Sequence, residues 1–229
     1  MKIKRVSEHI WSIKSWVLIP IHVWIVEEED GVTLVDAGMP FLASGILKFI
    51  NQLDSGPLKR ILLTHGHGDH VGALTKILQE NNVPVYAHEI EIPFMEGNQL
   101  YPRRKKYEKN VAKGIVQPLQ SDEQDRLLSV SGLHPILTPG HSPGHVVYYH
   151  EEDQVLLAGD LFTSKRGKLH RPMPMFTGDM KEAVKSSVVV EQLNPKQLEV
   201  CHGNTVYQPA KQLDEYMKKM ESELLKRIG

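Results

Sequence analysis

Four side chains able to bind a metal ion fall within six positions at His65-Gly66-His67-Gly68-Asp69-His70. Imidazole and carboxylate together suit Zn²⁺ and metals of similar hardness. The cluster follows an apolar run, Ile61-Leu62-Leu63-Thr64, and precedes a helix-like one from Val71 to Leu78. Side chains alternate along an extended segment, so His65 and His67 can point to one side. Asp69 and His70 then fall at the mouth of the following helix, where they can face a second ion. A chance His-rich surface turn has no need of two spacer glycines at a strand-to-helix junction, so a metal site is expected.

Three later segments put similar groups at the ends of strand-like runs. Thr138-Pro139-Gly140-His141-Ser142-Pro143-Gly144-His145 holds a histidine in a Pro/Gly-rich turn. Leu156-Leu157-Ala158-Gly159-Asp160 ends on a carboxylate, and Val200-Cys201-His202-Gly203-Asn204 carries a histidine and a glycine. Strand ends display functional groups from a rigid base. Cys201 beside His202 reads as buried packing rather than a nucleophile, because free cysteine behaves as a small apolar residue.

The elements that must position these groups follow from the apolar pattern. Residues 22–26 and 32–35 flank the acidic turn Glu27-Glu28-Glu29-Asp30-Gly31 and read as a β-hairpin. Pro40 opens a helix with Phe41, Ile46, Phe49, Ile50 and Leu53 on one face, stopped by Ser55-Gly56-Pro57. A strand at 61–64, the helix after His70 and a strand at 83–87 make a β-α-β unit. Further on, 135–138, 146–149 and 155–158 read as strands. Asp179 caps a helix running to about Leu193, and an amphipathic tail helix extends from Ala210 to Ile228. Between the halves, residues 89–125 break the strand pattern, carry Arg103-Arg104-Lys105-Lys106, and read as a helical cap insertion over the site.

At 229 residues, 41% hydrophobic and 24% charged, the chain can bury a large core as one domain over 1–229. A formal charge of -1 offers no basic field for nucleic acid. The lone cysteine rules out an intrachain disulfide and fits a reducing compartment. The basic start, Met1-Lys2-Ile3-Lys4-Arg5, meets Glu8, His9 and Lys14 before any long apolar stretch. Residues 16–26, broken by Pro20 and His22, fall short of the ~20 apolar residues of a membrane helix. A cytoplasmic protein acting on a small molecule is expected, without membrane or nucleic-acid partners. Monomer and homodimer are both compatible with the sequence.

With its ligand pattern assembled, the chain resembles the metallo-β-lactamase superfamily of metallo-hydrolases. The signature His-x-His-x-Asp-His is matched by His65, His67, Asp69 and His70. The later histidine, bridging aspartate and final histidine are matched in order by His141, Asp160 and His202. Val35-Asp36-Ala37-Gly38 matches the motif whose aspartate supports the metal loop. The resemblance runs from about Val6 to about Gly203. It implies an α/β fold, an αβ/βα four-layer sandwich of two mixed β-sheets flanked by helices, with the metal site at one edge. It further implies one metal held by His65, His67 and His141 and another by Asp69, His70 and His202, with Asp160 bridging. Zinc is the expected ion, with Mn, Fe and Co as alternatives. Two divalent cations less two carboxylates and a bridging hydroxide leave one net positive charge, which suits an oxyanion growing on a carbonyl or phosphoryl oxygen. The metals would lower the pKa of bound water from ~15.7 toward ~7. The hydroxide would then attack a carbonyl substrate while Asp69 handles the proton.

Asp36 and His145 are expected to support the ligands from behind, and Tyr101, His170 and Tyr207 to meet substrate. Within the superfamily, Asp160 stands where true β-lactamases have Cys or Ser, and His67 where flavodiiron proteins have Glu. Only one helix follows His202, unlike the glutathione-binding domain of glyoxalase II enzymes, and the RNA-binding arm of the tRNA-maturation nucleases has no counterpart. What remains resembles the compact hydrolases of lactones, esters and thioesters, with lactonase favoured. The alternatives are a mononuclear iron persulfide dioxygenase, using His65, His141 and Asp160, and a phosphodiesterase of the same superfamily.

Overall fold

The computed structural model describes residues 1–225, and its strands form two mixed sheets. The first contains β1 (Lys2–Arg5), β2 (Ile10–Trp16), β3 (Pro20–Glu28), β4 (Gly31–Val35), β5 (Leu58–Leu62), β6 (Val85–Ala87) and β7 (Val116–Pro118), in that spatial order. It is antiparallel up to β4 and parallel from β4 to β7. Between its strands lie α1 (Ala43–Ile50), α2 (Gly68–Val71), α3 (Leu74–Glu80) and α4 (Ile92–Met95). The second half adds β8 (Leu133–Leu137), β9 (Val146–His150) and β10 (Val155–Leu157), a separate hairpin of β11 (Thr163–Lys165) and β12 (Lys168–His170), and β13 (Gln197–Glu199) and β14 (Val206–Tyr207). The second sheet has the order β14-β13-β10-β9-β8, with only β10 and β13 parallel. Its helices are α5 (Met180–Ser186), α6 (Val189–Leu193) and α7 (Ala210–Leu225).

Strand alternation divides the side chains of each sheet between two faces. From β3, Val23 and Ile25 join Ile46, Ile50, Ile61 and Ile77 in an apolar layer with α1 and α3. Trp24 and Val26, on the opposite face, meet Val146, Tyr148, Val155 and Leu157 of the second sheet. Val147 and Leu156 turn the other way, onto Val184, Val190, Leu213 and Tyr216 of α5–α7. Three apolar layers thus separate helix, sheet, sheet and helix, which is the αβ/βα four-layer order. Each fully buried Val, Leu or Ile contributes roughly 1.5–3 kcal/mol, so these layers outweigh the surface ion pairs. Polar ties then set the alignment: Tyr148 donates its hydroxyl to the Leu63 carbonyl at 2.8 Å, and the Val146 N–H donates to Thr64 O at 2.9 Å. The chain just beyond β5, where the metal-ligand cluster begins, is thereby fixed to β9.

The hairpin, the β-α-β unit and the later strands stand where the apolar pattern places them. Other expectations change. The sequence reading passed over β1 and β2; β1 is a charged edge strand, and charge on an edge protects its open ladder from further pairing. The helix after Pro40 starts with a 3₁₀ turn, Pro40–Leu42, which leaves Phe41 exposed instead of on the core face. Asp179 caps its helix as expected, accepting from the Lys181 and Glu182 N–H groups at 2.9 and 3.0 Å. That helix stops at Ser186, however, and restarts as α6; the Ser187 hydroxyl bonds back to the Val184 carbonyl and competes with the helical ladder. The expected helical cap over residues 89–125 contains one helical turn, α4, and otherwise irregular chain plus β7. Pro93 is accommodated in the first turn of α4, Pro102 disfavours helix further on, and Gly97 and Gly114 turn the chain at φ 75° and 81°. In the tail helix, Ile228 lies outside the described residues. Among the described residues, no helix is long and apolar enough to cross a membrane.

A polar knot joins the turns of the two sheets. The Asp153 carboxylate accepts the His9 N–H at 3.0 Å, lies 2.8 Å from His9 Nδ1 and takes the Ser7 hydroxyl. The hydrogen bond to Asp153 raises the His9 pKa despite some burial. A raised folded-state pKa stabilises below the unfolded value near 6.5, and that stability is lost as pH rises through the folded value. Asp153→Asn is therefore expected to lower the melting temperature more at pH 5.5 than at pH 9. Equal losses at the two pH values would refute an ionic role for the pair.

Candidate metal centre

All seven expected ligands gather at the edge where strands of both sheets end. His65 and His67 follow β5, and α2 begins at Gly68, so Asp69 and His70 lie in its first turn. His141 stands in the turn before β9, Asp160 just beyond β10, and His202 just beyond β13. Asp69 is half-buried, and the other six are buried.

Three imidazole nitrogens meet on one side of the site. His67 Nδ1 lies 3.0 Å from His65 Nε2 and 3.0 Å from His141 Nε2. On the other side, His202 Nε2 lies 3.2 Å from Asp69 Oδ2, and His70 Nε2 is 4.0 Å from the same oxygen. Asp160 stands between: its Oδ1 is 3.5 Å from His70 Nε2, and its Oδ2 is 3.3 Å from both His141 Nε2 and His202 Nε2. The opposite nitrogen of four ligands is anchored. His65 Nδ1 lies 3.1 Å from the Thr64 hydroxyl, His70 Nδ1 2.7 Å from Asp36 Oδ2, His141 Nδ1 3.3 Å from the Thr177 hydroxyl, and His202 Nδ1 2.8 Å from Pro20 O. Such outer partners fix the tautomer and leave the inner nitrogen free to coordinate.

Electrostatics agrees with a cationic occupant. Burial, reinforced by neighbouring histidines, lowers the pKa of His65 well below its ordinary value, and that of His67 to about 4. Burial also holds His141 low. These rings are neutral and present lone pairs. Burial opposes a proton on His70 and His202 too, but nearby acidic groups, Asp160 among them, outweigh it and raise both. Burial would raise Asp69, yet His70 and His202 hold it at about 2. Three buried atoms, His70 Nε2, His202 Nε2 and Asp160 Oδ1, have no hydrogen-bond partner. Buried polar atoms without partners are costly, and here they converge on the space a divalent ion fits.

The supports behind the ligands are partly as expected. Asp36, at φ 58°, accepts the Thr64 N–H and hydroxyl, each at 2.8 Å, besides holding His70. His145 Nε2 accepts the Asp160 N–H at 3.1 Å, and its Nδ1 lies 2.9 Å from the Thr138 hydroxyl, so it steadies Asp160. Gly159 sits at φ 50°, and a Cβ there would come within 2.8 Å of His145 Nε2, so both backbone and space call for glycine. The sequence reading missed Glu91. Its fully buried carboxylate accepts the Gly66 N–H (3.0 Å), the Tyr101 hydroxyl (2.8 Å), the Ser142 hydroxyl (2.8 Å) and the Gly144 N–H (2.8 Å). One side chain thus clamps the His65–His70 segment to the His141 turn. The only local hint is a glutamate set among apolar residues in Ile90-Glu91-Ile92. Cys201 is buried as expected, though its sulfur lies within ligand reach of Asp69, His70 and His202.

The three substrate-contact candidates fall elsewhere. Tyr101 is buried behind the metal loop with its hydroxyl committed to Glu91. His170, on β12, faces charged groups of α7, Lys219 and Glu223, instead of the metals. Tyr207, exposed on β14, borders a different cleft. The opening over the metal ligands, about 320 Å³, is lined by His67, Gly68, Asp69 and Asp160 together with Ile19, Arg104, Glu108, Met173 and Phe176. Residues 89–125 supply Arg104 and Glu108, and the segment after Asp160 supplies Met173 and Phe176. Arg103 Nη1 ties the two segments, donating to Pro174 O at 3.0 Å and Thr177 O at 2.9 Å.

Comparison with known proteins agrees with this geometry. The sequence model of the metallo-beta-lactamase superfamily matches residues 16–198. The probable metallo-hydrolase YybB of Bacillus subtilis (strain 168) is 36% identical over 210 residues, covering 90% of this chain and 93% of that protein. A hydroxyacylglutathione hydrolase of Marinomonas sp. (strain MWYL1) is 29% identical, over 65% of this chain and 49% of its own length. Among solved structures, TTHA1623 in a di-iron-bound form superposes with a TM-score of 0.66 at 28% identity, covering 87% of this chain and 96% of that one. The chain belongs to the metallo-beta-lactamase superfamily, and its site is that of a metal-dependent hydrolase of this superfamily.

Proposed function

We propose that this protein hydrolyses the acyl C–O or C–S bond of a small lactone, ester or thioester at a two-metal centre, lactones being the favoured class. Asp160 carries the reading, because its carboxylate touches both ligand groups, Oδ2 lying beside His141 of the first and His202 of the second, and Oδ1 beside His70 of the second. A pair of divalent ions, zinc the expected pair, would supply Lewis acidity at the substrate oxygen and a water of lowered pKa. The chain's own residues do the rest. Asp69, its side chain 29% exposed to the cleft, is held as a carboxylate and can take a proton from the attacking water and return it to the leaving group. His65, His67 and His141 stay neutral, while Thr177 orients the His141 ring, Asp36 the His70 ring and Pro20 O the His202 ring. The second set of Asp69, His70 and His202, with His70 Nε2 and His202 Nε2 making no hydrogen bond, supports two ions over one. Thioesters stay within the reading because the chain is similar to a hydroxyacylglutathione hydrolase over about half of that protein's length.

The test is a hydrolysis panel of lactones, esters, thioesters and phosphodiesters on metal-replete protein, read beside metal stoichiometry. Turnover of a carbonyl substrate with close to two metals per chain is the expected result. Oxygen uptake with a single iron, or turnover confined to phosphodiesters, would overturn it.

Arg104 lines the cleft, its guanidinium 5.2 Å from the Phe176 ring centre and its Nε 3.2 Å from Glu108. With Ile19 and Met173 it suits a substrate that joins an apolar group to an anionic one. Arg104→Ala should raise KM for carboxylate-bearing substrates by roughly tenfold while leaving kcat nearly unchanged. An equal effect on neutral substrates would show that Arg104 acts only through packing.

A further inference from the structure

Near the His202 segment, three lysines gather around a cleft whose one acidic lining residue is the buried Glu199. Strand register sets Lys2 directly opposite Lys14, Lys14 opposite His22, and Lys4 opposite Ser12, so these side chains share one face of β1–β3. Like charges directly opposite one another destabilise a sheet. Among the described residues, the lysines in ion pairs are Lys59 and Lys185, and Lys2, Lys4 and Lys14 form none. The three lysines border a cleft of about 340 Å³. Ser12 and His22, both more than nine-tenths buried, also line it. Ser12 Oγ lies 2.8 Å from His22 Nδ1, and His22 Nε2 has no hydrogen-bond partner. The single acidic residue lining the cleft is Glu199, which is buried and accepts from Gln197 Nε2 at 2.8 Å.

We propose that this cleft binds a small multivalent oxyanion, the phosphate or carboxylate group of a metabolite, distinct from whatever substrate the metal centre takes. Three lysines lining one concave surface can supply charge-assisted hydrogen bonds and a focused positive potential. The volume is near the lower end of small-molecule sites, which suits a compact anion and not a long chain. The position also gives binding a route to the metal centre. Asn204, on the cleft wall, is two residues from His202, and Pro20, whose carbonyl holds His202 Nδ1, is two residues from His22.

The site can be tested on metal-loaded protein by following backbone amide and His22 ring signals by NMR at low salt. Inorganic phosphate and succinate are titrated separately, to distinguish a phosphate from a carboxylate ligand. Saturable shifts at Lys4, Ser12, Lys14 and Asn204 with either probe are expected, with half-saturation below about 10 mM. In Lys2→Gln/Lys14→Gln they should weaken at least tenfold, while any shifts near Gly66–Asp69 persist. Because both changes relieve the like-charge repulsion between edge strand β1 and its neighbour β2, the double variant should melt no lower than wild type in the absence of either anion. A single substitution, Lys4→Gln, gives an independent check with an intermediate loss. No saturation with either probe, or identical cleft shifts in wild type and variants, would overturn the proposal.

Discussion

Replacing Asp160 with asparagine is expected to lower turnover on the order of 10³-fold and to reduce bound metal from near two ions per chain to one or fewer. No other carboxylate at the centre touches both groups of ligands: its oxygens lie 3.3 to 3.5 Å from His70, His141 and His202. Asparagine keeps the size and the N–H bond to His145 but loses the negative charge and offers a single acceptor oxygen. A divalent pair would then lack that negative charge in a buried site, where charge compensation matters most. The comparison that gives the result meaning is Asp69→Asn. That change should also suppress turnover, but it removes a half-exposed group at one ion and should leave more metal bound. Metal analysis and steady-state rates on both variants check this. Full metal content with near-normal turnover in Asp160→Asn would rule out the bridging role.

The second large effect is structural, and it falls on Glu91. Glu91→Ala removes the acceptor for four donors at once, two backbone N–H groups and two hydroxyls, all in a dry environment. Leaving buried donors unpaired costs about 1–3 kcal/mol each before relaxation and water entry. A net loss of about 4 kcal/mol is expected, which for a chain of this size lowers the melting temperature by about 10 °C. Metal affinity should fall with it, because the Gly66 and Gly144 N–H groups that Glu91 holds belong to the two loops carrying His65, His67 and His141. Glu91→Gln should be intermediate: the amide retains one oxygen for two of the donors but turns an NH₂ group toward the other two. Space adds to the constraint at this clamp, since a Cβ on Gly144 would lie 2.4 Å from the Glu91 backbone nitrogen. Thermal melts of the metal-free and metal-loaded forms measure both effects. A shift below about 3 °C for Glu91→Ala would show that the clamp is dispensable.

The metal ligands were legible in the sequence because coordination chemistry restricts residue type sharply and local spacing does much of the positioning. His65, His67, Asp69 and His70 need only a strand end and the first turn of α2 to reach the site. Glu91 was not legible, because its partners lie 25, 51 and 53 residues away as well as 10, and nothing in its immediate neighbourhood encodes them. The substrate-contact candidates lie away from the lining of the metal cleft for a related reason. Tyr101 and Tyr207 are chemically suitable tyrosines, but one is buried against Glu91 and the other lies on a different strand edge, and residue type carries no information about direction. The groups that do line the cleft, Arg104, Met173 and Phe176, are ordinary surface-type or apolar residues with no sequence signature.

By itself, the sequence determined the apolar alternation that marks strands and helices, while their assembly as two sheets with helices outside them was what the family resemblance implied. It also determined the identity and order of seven side chains able to bind a divalent metal, with His65–His70 as the starting point. Both are local or compositional properties, set by strand periodicity and by the few side chains that bind such metals. Only the tertiary structure decided which loops meet over the ligands, that a single buried glutamate locks two of those loops together, and that residues 89–125 form irregular chain instead of a helical cap. It also revealed the unpaired lysines on β1 and β2, because cross-strand register, which places Lys2 against Lys14, exists only once the sheet has formed. These features depend on contacts between residues far apart in the chain, whose geometry is fixed by packing of the whole sandwich.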